Sequence, residues 1–111
     1  MVDFRGVIER VVEQQNESLE SDFSVYVDPD EEAIENLSIE KQGDILIVCQ
    51  YGTKRGDIML DPMVRVNISE GIWVPIEYRN DYLSKRQRDE NGIDIDDFLS
   101  NWATNLEHHF L

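Results

Sequence analysis

Ile45-Leu-Ile-Val-Cys-Gln-Tyr-Gly-Thr-Lys-Arg-Gly-Asp-Ile-Met-Leu-Asp-Pro-Met-Val-Arg-Val-Asn-Ile68 is the stretch that decides the fold. Its first five residues form a continuous apolar run bounded by turn residues, the pattern of a central strand covered on both faces. Its last six alternate, with Val64, Val66 and Ile68 on one side and Arg65 and Asn67 on the other, the pattern of a strand buried on one face. Between them, Gly52-Thr-Lys-Arg-Gly56 predicts a turn, residues 57–60 a short strand, and Asp61-Pro62 a corner. Ser69-Glu-Gly71 reads as a three-residue hairpin loop with Gly71 in the left-handed position. Ile72, Val74, Ile76 and Tyr78 then continue the buried side. Pro75 has no N–H to donate to a ladder, which predicts that this strand lies at an edge or contains a bulge.

Upstream, Phe23-Ser-Val-Tyr-Val27 alternates as a strand and is broken by Asp28-Pro29-Asp30, after which Asp30-Glu-Glu-Ala suits a single helical turn. Leu37, Ile39 and Lys41 alternate with polar residues up to the turn at Gln42-Gly-Asp44. Phe4, Val7, Ile8, Val11, Val12 and Leu19 have helical spacing, predicting a helix over residues 3–19 with Asp3 as its cap. Downstream, residues 79–92 read as an exposed loop. Ile95, Phe98, Leu99, Trp102, Leu106 and Phe110 define a closing helix, with Asp94, Asp96 and Asp97 near its start and His108 and His109 near its end, as the helix dipole prefers. The expectation is a single α+β domain spanning 1–111. It has an N-terminal helix, an antiparallel meander of five or six strands and a C-terminal helix, arranged in two layers.

The 111 residues carry a formal charge of −14, unevenly distributed. Residues 1–48 hold thirteen acids and three bases, residues 49–88 five acids and seven bases, and residues 89–111 six acids and no base. Glu17, Glu20, Asp22, Asp28, Asp30, Glu31, Glu32 and Glu35 follow one another without an intervening base. This balance argues against direct binding of nucleic acid or anionic membranes, both of which need a basic footprint. The hydrophobic fraction of 41% is too high for a wholly disordered acidic chain. No apolar run approaches the ~20 residues of a membrane span. No charged-then-apolar leader opens the chain, and a cytoplasmic protein is expected.

Catalysis needs convergent groups of tuned pKa, and none is legible here. The lone Cys49 lies in an apolar strand, a packing position, and excludes an internal disulfide. His108 and His109 are helix neighbours about 100° apart and cannot chelate one metal from one face. Their place in a Leu-Glu-His-His sequence also leaves open a purification-tag origin. Neither acidic stretch has calcium-loop spacing: the first lacks the turn glycine, and aligning Gly92 as that glycine puts Gln87 and Phe98 at ligand positions. We therefore expect no catalytic residues, no metal and no cofactor.

Tyr51, Gly56, Asp57, Met59, Asp61, Pro62, Trp73 and Pro75 together resemble small uncharacterised bacterial and phage domains with a Gly-Asp-x-Met-x-Asp-Pro hairpin. Gln87-Arg-Asp-Glu and Phe98-Leu-x-x-Trp102 are similar to a second uncharacterised bacterial family. The resemblance spans about half the chain, stops short of the acidic N-terminal half, and implies a bacterial or mobile-element origin without an activity. Two binding surfaces are expected. One is an acidic surface for a basic protein partner, formed by Glu17, Glu20, Asp22, Asp28, Asp30, Glu31, Glu32, Glu35, Asp94, Asp96 and Asp97. The other is a hairpin edge with Lys54, Arg55 and Trp73. The functional expectation is a non-enzymatic acidic protein that binds a basic protein partner, in its concrete versions a phage or mobile-element inhibitor whose carboxylates stand in for phosphates, or an immunity protein or antitoxin. An accessory homodimer joined through an exposed edge strand, with the Pro75 strand as the candidate, or through a helix face, is the alternative.

Overall fold

Phe4, Val7, Ile8, Val11 and Val12 are all buried along one side of α1 (Phe4–Gln14), as their spacing requires. The computed structural model describes residues 3–29 and 34–111, and for Thr53 and Lys54 the backbone alone. The helical turn expected from Asp30 therefore lies outside the described residues. Asp3 occupies the N-cap of α1, but its carboxylate makes no capping bond. The helix ends short of residue 19, with Asn16 in the left-handed region at φ 60°. Leu19 packs on the core from the loop that follows.

The sheet is a meander of β1 (Phe23–Val27), β2 (Asn36–Gln42), β3 (Ile45–Lys54), β4 (Asp57–Asn67), β5 (Val74–Asn80) and β6 (Lys85–Arg88), each antiparallel to the next. α2 (Asp96–Phe110) follows and lies with α1 on one face of it. Beneath the helices, Val25, Ile39, Val48, Val64 and Tyr78 stand in cross-strand register. Leu37, Ile39, Leu46, Val48 and Val64 are wholly buried there, each contributing about 1.5–3 kcal/mol of transfer free energy. Helix contacts advance in step along the chain: Phe4 stacks on Trp102 at 5.5 Å and Arg10 meets Glu107 at 2.9 Å.

Among the described residues, the other face of the sheet carries no helix. Ser24, Glu40, Ile47, Arg65, Glu77 and Arg88 share one register row on it. β3 therefore has helices over one face only. Leu46 and Val48 are fully buried, while on the other face Ile45 and Ile47 are partly exposed and Cys49 is buried, so the unbroken apolar run marks one face fully covered and the other partly so.

Four further differences from the sequence reading have local causes. β3 and β4 are longer than expected, because only Arg55 and Gly56, at φ 54° and 86°, make the turn and Lys54 already pairs with Asp57. Asp61-Pro62 is a cis peptide inside β4 rather than a corner, at the place where the register with β3 shifts between Cys49 and Tyr51. β5 is interior, not an edge, and meets the second expectation for Pro75, a bulge. Pro75 lies opposite Val66 and Glu77 opposite Arg65, leaving Ile76 as the extra residue. The bulge exchanges faces, so Ile72, at 67% exposure, and Val74 do not share the side of Tyr78. Lys85–Arg88, expected within a loop, is the edge strand β6. No helix among the described residues is long and apolar enough to cross a membrane.

Candidate functional site

Among the described residues, two concave regions lined by helix residues gather polar side chains, besides a region of about 430 Å³ lined by Asn67, Ser69, Glu70, Glu90 and Asn91. The first, a groove of about 370 Å³, is lined by Glu35 at the start of β2, Gln50 of β3, Asp61 of β4, and Asn105 and His109 of α2. Gln50 organises it. Its amide donates to the Glu35 carbonyl at 3.1 Å, and its oxygen accepts from the Trp102 indole at 2.7 Å. Asp61 is oriented by Asn80, whose amide donates at 2.8 Å. Partial burial and the nearby Asp61 charge raise the Glu35 pKa, the mark of two carboxylates sharing a site.

Gly52 is what allows this approach. A side chain there would meet the Glu35 carboxylate at 2.7 Å and the Tyr82 hydroxyl at 3.0 Å. Asp81 stands on the β4–β5 side with the opposite perturbation. It accepts from the Leu60 amide at 2.9 Å and the Arg79 guanidinium at 2.7 Å, and its pKa is lowered chiefly by the first of these. Cys49 is pushed up to about 12 by burial and, secondarily, by Asp81 and Glu35, so its thiol is no nucleophile at neutral pH. No group of three or more histidines, cysteines or carboxylates among the described residues is arranged to hold a metal.

The second region is a cleft of about 330 Å³ where the N-termini of α1 and α2 meet the β4–β5 connection. Phe4, Val66, Trp73, Pro75 and Leu99 give it apolar walls, and Asp3 and Asp96 contribute carboxylates. Arg5 lies over the Trp73 ring, 5.4 Å from its centroid, and donates to the Gly71 carbonyl at 2.7 Å. Phe4 meets Trp73 edge-on at 6.4 Å.

The expected acidic surface is divided by the fold. Glu17 and Glu20 are exposed beyond the C-terminal end of α1, opposite the end where Asp96 meets Asp3. An 11-residue helix separates these ends by about 16 Å. Asp22 has a structural task, accepting from the Gly43 amide at 2.9 Å and from Lys41 at 3.5 Å at the β2–β3 turn. Asp28 is exposed after β1, and Glu35 sits at the end of β2 remote from Asp22. Asp94 accepts from the Asp96 amide at 3.4 Å, and Asp96 and Asp97 occupy the first turn of α2, where the dipole favours them. Asp30, Glu31, Glu32 and the Lys54 side chain lie outside the described residues.

The hairpin edge is not assembled as a unit. Arg55 is at one end of β4 and Trp73 follows the other, with 11 strand residues, about 33 Å, between. Asp61 and Asp3 belong to these regions and were not among the expected site residues. The raised Glu35 pKa has no signal in the sequence, because its causes are burial set by the fold and, second, the charge of Asp61, 26 positions away.

Residues 6–109 match the family model of a domain of unknown function, DUF6908. The match extends through the acidic N-terminal half, where the motif resemblance stopped. No curated protein and no solved structure matches the chain.

Proposed function

The chain belongs to the DUF6908 family, and from its own surface we propose that it is a non-enzymatic binding protein whose carboxylates engage a basic protein partner. One observation carries this reading: among the described residues seven bases are held in ion pairs, with Arg55 and Lys85 exposed outside them, while a larger set of acids is exposed and unpaired. Arg5, Arg10, Lys41, Arg65, Arg79, Arg86 and Arg88 are each in an ion pair. Asp3, Glu13, Glu17, Glu20, Asp28, Asp94, Asp96 and Asp97 are exposed and in none of these pairs. Such a surface attracts a basic partner over a Debye length, speeds encounter and loses affinity with salt.

The concrete version is a phage or mobile-element inhibitor that occupies a nucleic-acid-binding groove in the cytoplasm of a bacterial cell. An immunity protein or antitoxin would use the same physics. The separate placement of the carboxylates counts against a continuous phosphate-like track and favours the immunity-protein or antitoxin version, in which a basic partner is touched at a few separate points. Capture on the immobilised chain at low salt, followed by stepped salt elution and mass spectrometry, tests the reading. The expected eluate is dominated by one basic protein released in a narrow salt step. A captured set without basic proteins, or one retained at high salt, contradicts it.

A homodimeric accessory role is the second reading, supported by the edge strand β1 with exposed Tyr26 rather than by the Pro75 strand. The other edge, β6, carries Lys85, Arg86 and Arg88, which oppose edge pairing. Light scattering at micromolar concentration decides: a clean monomer removes this role.

A further inference from the structure

The cleft at the helix N-termini combines aromatic walls with two exposed carboxylates that enter no ion pair. Its volume, about 330 Å³, is at the small end of ligand sites, roughly 300–1,000 Å³. Apolar walls of Phe4, Val66, Trp73, Pro75 and Leu99 suit a methylene stem, while Asp3 and Asp96 face a charged head. Asp3 makes no capping bond and neither carboxylate enters an ion pair. The cation already present, Arg5, is answered by Glu9 at 3.3 Å and fixed to the Gly71 carbonyl. It adds a guanidinium to the Trp73 ring without neutralising the two aspartates.

Helix N-termini alone would favour an anion, but an anion here would face Asp3 and Asp96. We propose that this cleft is the socket for one arginine side chain of the partner. The inference rests on the basic-partner reading above and assigns it an anchoring point. Arginine fits better than lysine because its planar head stacks on aromatic rings and bonds carboxylates in a bidentate manner, whereas an ammonium holds its water more tightly.

The test uses the full chain, nitrogen-15 labelled, titrated with N-acetyl-arginine amide, N-acetyl-lysine amide and the neutral isostere N-acetyl-citrulline amide. The expected result is saturable shifts at the Trp73 indole N–H and the amides of Phe4, Arg5, Leu99 and Ser100. Lysine should bind more weakly and citrulline should produce no saturable shift. The D3N/D96N double variant alters only exposed groups, and its dispersed spectrum will report that it is folded. It should bind the arginine amide about tenfold more weakly, as expected for losing two partly exposed ion pairs.

Equal binding of citrulline, unsaturable shifts spread over the exposed carboxylates, or an unchanged D3N/D96N affinity each overturns the socket. If the captured basic protein still binds in a salt-dependent way when the arginine amide misses the cleft, the socket alone is wrong. If no basic protein is captured either, both readings fail.

Discussion

Cys49, Asp81 and Glu35 show how single residues here respond to their surroundings. The Cys49 thiol, pushed up to about 12, stays protonated near neutrality. In the native protein it should therefore resist a disulfide reagent at pH 8 and react only after unfolding in denaturant, as absorbance of the released thiolate will show. Asp81 has a lowered pKa, so its stabilisation is present above the ordinary aspartate value of about 3.9 and is lost as pH falls through its folded value. D81A leaves the Leu60 amide and Arg79 without their acceptor and should cost about 1–3 kcal/mol at pH 7 by denaturant unfolding. That difference should shrink in acid.

Glu35 has the opposite sign. With its folded pKa raised, the native state holds more protons than the unfolded one, and stability falls as pH rises above the ordinary glutamate value of about 4.3. E35Q should raise the melting temperature at pH 7 and leave it unchanged near pH 3. Thermal scans at both pH values measure this. The pairing of Glu35 with Asp61 was not legible from either residue, since each reads locally as turn chemistry and only the β2–β3–β4 pairing brings them together.

At the scale of elements, what was legible follows periodicity and what was not follows backbone pairing. α1 and α2 repeat apolar residues at helical spacing, and β1 and β2 alternate, so all four were plain. Lys85–Arg88 has no apolar residue to reveal a strand; its state comes from hydrogen bonding to β5. The Ile76 bulge likewise leaves no mark in an apparently regular alternation, yet it moves Val74 off the side of Tyr78. Gln50 joins three elements through Glu35 and Trp102, and Q50A should cost about 1–3 kcal/mol by leaving the Trp102 indole without its acceptor. Gly92, at φ 115°, leads from β6 towards α2, and an added Cβ would lie 2.9 Å from Val74. G92A combines backbone strain with that overlap and should destabilise by about 1–3 kcal/mol. Chemical denaturation of both variants checks these values.

For the whole molecule, the charge is the property that the fold interprets rather than merely displays. Blocks contiguous in sequence are split between the two ends of α1 and the two ends of β2, while Asp3 and Asp96, 93 positions apart, line one cleft. The overall architecture was readable because one apolar sheet face needs helices to cover it. The surface was not, because no period relates exposed residues on different elements. The most direct test compares two triple variants of equal charge change, D94N/D96N/D97N at the α2 start and D44N/D57N/E70Q at exposed positions elsewhere. Affinity for the captured basic partner is measured by calorimetry at two salt concentrations. Site-specific binding predicts a loss of about tenfold or more for the first variant and a much smaller loss for the second, with both differences reduced at high salt. Equal losses, or affinity unchanged in both variants, would contradict it.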